Sequence, residues 1–302
     1  MTNLTLVSPN RHKLCDALED AFLDFLLSRE AMLCSPATMK FYKFTGGKII
    51  EWLTNEGITA PEEIKAKHVR AYLSEMARKG LSDSYIHSHA RVFRTFLRFL
   101  HDEEYVSSLI KFKMPSIAQK RLPILTPDEL QRVIKGCTTL RDKAMVMLLV
   151  DTGVRRSEAC SLNWDDVDIQ SGLVTIRRGK GGKSRSVVIG IATRRAVLAY
   201  RRTVRNEPRD PLFQTLSGKR LTPNGLRSAL LRIGDRCGVH VSPHIMRRTF
   251  ATLSLKAGMN PLHLQGLLGH SSLEMTRRYC QMVDDDLLEA HKEHGPIDRF
   301  LK

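Results

Sequence analysis

The sequence predicts a mainly α-helical protein of two domains, the second of which carries one small antiparallel β-hairpin. Three observations lead there. The chain has 302 residues, long for one domain and comfortable for two. Apolar residues recur at helical spacing over most of that length, in runs opened by capping residues. One pair of β-branched runs, Leu173 to Ile176 and Ser186 to Ile189, flanks a stretch rich in Gly and Lys, which is a hairpin signature. Hydrophobic residues make up 42% and aromatic residues 6%, so both cores are expected to be mostly aliphatic.

The first domain is expected over residues 1–115 as about four helices. The first helix runs from Leu14 to Glu30, with Leu18, Phe22, Phe25 and Leu26 on one face. The second follows Ser35-Pro36, a cap with proline at the first helical position, and runs to Trp52-Leu53. The third is expected to start at Thr59-Ala60-Pro61-Glu62, where Thr59 and Glu62 fit a capping box. The fourth follows Ser82 and ends near His101, with Ile86, Phe93, Phe96, Leu97 and Leu100 facing a core. Residues 116–123 read as a linker, and 124–302 as the second domain. That domain opens on the capping box Thr126-Pro127-Asp128-Glu129. An apolar helix around Ala144 to Val150 then ends at Thr152-Gly153, the hairpin follows, and Thr193 to about His291 reads as helices.

Charge separates the two halves. Residues 1–116 carry 16 Lys+Arg and 14 Asp+Glu, whereas residues 117–302 carry 32 and 18, so the overall net charge of +16 sits almost entirely on the second half. Such an excess favours a polyanionic partner, most commonly nucleic acid. His87, Arg91, Arg94 and Arg98 fall at i, i+4, i+7 and i+11 on the fourth helix and form one stripe. The stripe fits a DNA-facing surface, and taken alone it equally fits a solvated helix face. The cysteines, Cys15, Cys34, Cys137, Cys160, Cys237 and Cys280, contain no CxxC pair, and no zinc-ligand spacing or other metal site is expected. Neither an apolar signal core nor a membrane-spanning stretch is visible, so a reduced, cytoplasmic protein with no membrane partner is the expectation.

Five segments carry the chemistry: Thr152-Gly153-Val154-Arg155, Gly179-Lys180-Gly181, His244-Ile245-Met246-Arg247, Leu268-Gly269-His270, and Tyr279. Each alone has a plainer reading. Arg155 beside Arg156 and Glu158 fits a surface salt-bridge network, Lys180 fits ordinary turn chemistry, His244 and His270 fit helix caps, and Tyr279 fits a core position. Gly179 to Lys183 is no phosphate-binding P-loop, because the spacing fails and no helix follows. In this order and spacing on a basic domain, the five together resemble the tyrosine recombinase (phage integrase) family. The resemblance covers about 124–291 by motif, and the first domain by pattern only.

The resemblance implies a DNA breaking-rejoining fold and site-specific recombination without cofactor. Arg155 and Arg247 would grip the scissile phosphate, and Lys180 would protonate the leaving 5′ oxygen. His244 would serve as acid/base and His270 as a hydrogen-bond donor to phosphate. Tyr279 would be the nucleophile. Arg248 and Gln281 depart from the family pattern, where histidine is common, but neither is a core position. Physical chemistry supports the assignment independently. Phosphodiester cleavage places negative charge on the equatorial oxygens, and a planar guanidinium that stays charged can bind two of them. A leaving alkoxide needs a proton donor. A phenol, ordinarily with a pKa of about 10, is a poor nucleophile until its proton is removed or its anion stabilised.

Two readings compete with recombination: a DNA-binding regulator that keeps the fold without catalysis, and type IB topoisomerase-like strand cleavage. From the short stretch before the first helix, no arm-binding domain of the lambda-integrase kind is expected, and the expected layout is Xer-like. The family works as a tetramer around two double-stranded DNA sites, so a nucleoid-associated homo-tetramer, or a hetero-tetramer with a paralogue, is implied. The basic residues expected to meet DNA are His87, Arg91, Arg94, Arg98 and Lys183. Ile297, Phe300 and Leu301 form a small apolar cluster expected to dock either on their own domain or on a neighbouring protomer.

Overall fold

Four α-helices build the first unit among the described residues: α1 (Ala17–Ala31), α2 (Pro36–Asn55), α3 (Ala66–Arg78) and α4 (Asp83–Asp102). The computed structural model describes residues 17–116, 122–177 and 184–269 and the single positions 272, 276, 277, 279 and 291. These divide into two units, one on each side of residues 117–121. Most of the expected linker therefore lies outside the described residues, as do Leu14 to Asp16 of the first expected helix.

The caps read from the sequence act as expected in two of the three places. Ser35 Oγ accepts from the Thr38 N–H, with Pro36 as the first helical residue, and Ser82 Oγ accepts from the Tyr85 N–H. The third place is a correction. Glu63, not Glu62, takes the Thr59 and Ala60 N–H groups, and Pro61–Glu63 is a single 3-10 turn. Ile64 leaves that turn in an extended conformation and is buried, so core packing ends the turn and α3 restarts at Ala66. α4 is the central helix, packed on α1, α2 and α3. Its Ile86, Phe93, Phe96, Leu97 and Leu100 are buried as the spacing requires. Phe96 meets Phe22 and Phe25 edge-on, so this core is more aromatic than the composition leads one to expect.

The second unit contains α5 (Pro127–Lys135), α6 (Leu140–Thr152), α7 (Arg156–Ser161), β1 (Leu173–Ile176), β2 (Arg185–Val188), α8 (Ile191–Arg201), α9 (Pro223–Cys237), α10 (Pro243–Lys256) and α11 (Pro261–Leu268). The Thr126/Glu129 capping box forms in both directions at the start of α5. From Ala144 to Val150 α6 is continuously apolar, as a helix segment enclosed by neighbours must be. It packs on both α8 and α10, with Met145, Val146 and Leu148 fully buried. β1 and β2 pair antiparallel, Leu173 opposite Val188 and Ile176 opposite Arg185, so the second strand begins one residue before the expected Ser186. No helix among the described residues is long and apolar enough to cross a membrane.

Candidate active site

The site begins where α6 stops. Gly153 has φ +61° and terminates α6 in the left-handed conformation that glycine adopts without penalty. A Cβ there would lie 2.3 Å from Phe250 Cδ1 and 2.8 Å from Leu268 Cδ2, so the position excludes a side chain on two counts. The tight turn throws the chain directly into Arg155, which caps α7.

Arg155 is held through Glu158. The Glu158 carboxylate receives the Arg155 backbone N–H at 2.7 Å and the Arg155 Nη1 at 2.9 Å. Arg185, the first residue of β2, donates both Nη groups to the same carboxylate, at 2.9 and 2.7 Å. Glu158 is only 3% exposed. Burial alone would raise its pKa; the hydrogen bonds from Arg185 and from the Arg155 backbone outweigh that and hold it at about 2. The salt-bridge reading of Arg155 is thus correct as to partner but not as to place, since the Glu158 carboxylate is buried and shared with a third residue.

α11 supplies the second half of the arrangement. A helix leaves its last carbonyls without intrahelical donors and carries partial negative charge at that end. Three consecutive carbonyls there are taken by three different arginines. Leu267 O accepts from Arg185 Nε at 2.8 Å, Leu268 O from Arg247 Nη2 at 2.7 Å, and Gly269 O from Arg155 Nη2 at 3.2 Å. Arg247, on α10, also donates to the Gly153 carbonyl through Nη1. It is 7% exposed. Its pKa falls to about 10, first through burial and then through repulsion from Arg155, with Tyr279 and Glu158 pulling the other way. The guanidinium is therefore still a cation at neutral pH. Three guanidinium groups and one carboxylate leave a surplus of positive charge at one helix end.

Tyr279 packs beside Phe250, Ala251, Leu264 and Leu268, the cluster formed by α10 and α11, and is half-buried. Leu268, whose carbonyl Arg247 takes, belongs to the same cluster, and Tyr279 favours the charged form of Arg247. His244 lies one residue after Pro243 in the first turn of α10, exposed, one helical turn before Arg247. The N-cap is Ser242, not His244. Partial loss of hydration, then Arg248, Arg156 and Arg247, lower the His244 pKa, which favours the neutral, proton-accepting ring.

Arg155, Arg247, Tyr279 and His244 are thus brought to one region. Lys180, Lys183 and His270 lie outside the described residues, as do Cys280 and residues 292–302. The described residues on either side of 178–183 are held by ion pairs. Arg177 pairs with Asp165 and Asp166 at the end of β1, and Arg185 holds Glu158 and Leu267 at the start of β2. Sequence reasoning missed Arg185 as part of this region.

In the first unit, Arg91, Arg94 and Arg98 are exposed and His87 is half-exposed along α4, and none of the three arginines makes an ion pair among the described residues. Alanine at all three should weaken duplex binding and reduce the slope of log affinity against log salt by about 0.9 for each phosphate that is no longer neutralised. Titration of a labelled duplex at several salt concentrations checks this; an unchanged slope returns the stripe to an ordinary solvated face.

The sequence model of the phage integrase family matches residues 123–285, and that of the phage integrase N-terminal SAM-like domain matches residues 20–104. The chain is 33% identical to tyrosine recombinase XerC of Anoxybacillus flavithermus, over 87% of this chain and 92% of that protein. It is 31% identical to XerC of Oceanobacillus iheyensis, over 92% and 95%. Among solved structures it is similar to XerA recombinase, at 25% identity and a TM-score of 0.53 over 92% of this chain and 98% of that one. A fold-level likeness extends to XerH site-specific recombinase bound to a palindromic difH substrate in a post-cleavage complex, with 20% identity and a TM-score of 0.73 over 93% and 98%. With its second unit matched by the integrase model and its first by the SAM-like model, this chain belongs to the phage integrase family, the tyrosine recombinases.

Proposed function

We propose that the chain is a site-specific DNA recombinase that cuts and rejoins strands through a 3′-phosphotyrosyl bond at Tyr279. The observation that carries this reading is the meeting of Arg155 and Arg247 at the carbonyl end of α11, beside Tyr279. The Tyr279 oxygen attacks the scissile phosphorus, with His244 accepting the phenolic proton. Arg155 and Arg247 neutralise the non-bridging oxygens, assisted by His270. The bond from phosphorus to the 5′ oxygen breaks as Lys180 donates a proton to that oxygen. Attack by a 5′-hydroxyl of another strand reverses these steps and releases Tyr279, so the energy of the broken bond is kept and no nucleotide is consumed.

In this reading residues 1–115 are the core-binding domain, with His87, Arg91, Arg94 and Arg98 on phosphates, 116–123 the linker and 124–302 the catalytic domain, where Lys183 adds a DNA contact. The protein acts on cytoplasmic, nucleoid-associated DNA. It assembles as a homo-tetramer, or with a paralogue as a hetero-tetramer, with the Ile297 to Leu301 cluster as a contact between protomers.

The test is a nicked suicide duplex carrying a site selected from genomic fragments by binding. Wild type should form a denaturation-resistant adduct without ATP and in EDTA. Binding without any adduct would favour the regulator reading. Relaxation of a supercoiled plasmid carrying the site, with no exchange between two sites, would favour topoisomerase-like cleavage. The leaving-group acid is tested separately. Lys180→Ala should slow cleavage of the normal duplex by about 10²-fold or more, and much less with sulfur at the 5′-bridging position, because a thiolate leaves without a proton. Equal losses on both duplexes would remove Lys180 from that role.

A further inference from the structure

Arg185 is a buried cation that the proposed chemistry does not use. It is 12% exposed, and Nε, Nη1 and Nη2 all donate to protein acceptors, so it is not placed to receive a phosphate. Arg155, at 25% exposure, is more open to an incoming phosphate.

Glu158 explains why the two differ. A buried carboxylate needs compensation, and an arginine alone with it would bind by the paired fork and be spent on it. Here Arg185 makes the fork, so Arg155 gives Glu158 only one side-chain donor and turns Nη2 to Gly269 O. Arg185 also stands two residues beyond the 178–183 stretch that contains Lys180, and its Nε holds Leu267 O, three residues before His270. A single side chain therefore joins β2, the helix after Arg155 and the end of α11.

We propose that Arg185 is a positioning residue for strand cleavage: by taking the Glu158 fork it keeps Arg155 available to the scissile phosphate and holds β2 in register with the end of α11. This rests on the recombinase reading above. It acts through Arg155, and so through the charge on the non-bridging oxygens, which gives it a signature that a general packing role lacks. Replacing one of those oxygens with a methyl group removes the charge that Arg155 neutralises.

Arg185→Ala and Arg185→Lys are compared with wild type for half-site binding, thermal stability, and the rate of adduct formation on two suicide duplexes, one normal and one with a methylphosphonate at the scissile position. The Ala variant should bind the half-site nearly as well as wild type and cleave the normal duplex about 10²-fold more slowly. On the methylphosphonate its deficit relative to wild type should shrink to about tenfold or less. Lys keeps the charge but not the fork, and should recover only part of the rate with the same narrowing. Should the Ala variant fail to fold, the Lys variant carries the same comparison. Wild-type rates in either folded variant, equal deficits on both duplexes, or a loss of half-site binding as large as the loss of rate would each overturn the inference. An absence of adduct with wild type itself would overturn the recombinase reading, which separates the two failures.

Discussion

Tyr279→Phe is expected to bind duplex DNA as wild type does and to form no covalent adduct, a loss of at least about 10³-fold in cleavage. The substitution removes one oxygen and keeps the ring. The ring is what packs against Phe250, Ala251, Leu264 and Leu268, so the hydrophobic cluster between α10 and α11 should persist. The basic residues proposed to meet the duplex are all unaltered by the substitution. Cleavage is different, because in the proposed reaction the phenolic oxygen is the group that becomes bonded to phosphorus, and a ring carbon offers no substitute. The measurement is a denaturing gel of the variant with the suicide duplex, alongside its affinity for the same duplex. A retarded covalent band at any appreciable fraction of the wild-type yield would show that another residue is the nucleophile. Loss of both adduct and binding would show instead that Tyr279 is needed for the fold of this region.

Much of the fold was legible because helix ends are decided locally. Ser35-Pro36, Ser82 and Thr126-Pro127 each carry their capping acceptor within three residues of the N–H they satisfy, and each marks a real helix start. The capping box at Thr59 was misplaced by one residue because a non-local event, burial of Ile64, decides where that turn ends. The same distinction runs through the site. Arg155 and Glu158 are three residues apart, so their pairing is readable from sequence. That the carboxylate is buried and shared is not, since its second partner, Arg185, comes from β2 and is itself tied to α11, more than a hundred residues after Glu158. Arg185 follows the Gly- and Lys-rich turn and reads as one more basic residue of a basic domain. Only the pairing of β1 with β2, which sets Arg185 opposite Ile176, delivers it to Glu158.

Arg247 provides the second large effect, and its two substitutions separate charge from geometry. Its side chain satisfies the carbonyls of Gly153 and Leu268 and supplies the most deeply buried cation of the site. Arg247→Ala leaves both carbonyls without that donor, at roughly 1–3 kcal/mol for each group that stays unsatisfied, so thermal stability should fall measurably. Adduct formation should fall by about 10³-fold or more, the scale seen when a cation facing a transferring phosphoryl group is removed. Arg247→Lys restores a cation but not the fork, so one carbonyl at most is recovered and the rate stays well below wild type. It should also create a pH dependence that wild type lacks. Burial and the neighbouring Arg155 lower the Arg247 guanidinium to about 10, which leaves it protonated throughout the neutral range. An ammonium starts from about 10.4, and the same surroundings would bring it toward neutrality. Because the cation is the active form, the rate of the Lys variant relative to wild type should decline as pH rises from neutral into the alkaline range. Dividing by the wild-type rate at each pH cancels any trend that the two proteins share. A ratio that stays level across that range would mean that position 247 is hydrated enough to hold an ordinary lysine, and that the buried cation inferred from the Gly153 and Leu268 contacts does not describe the working site.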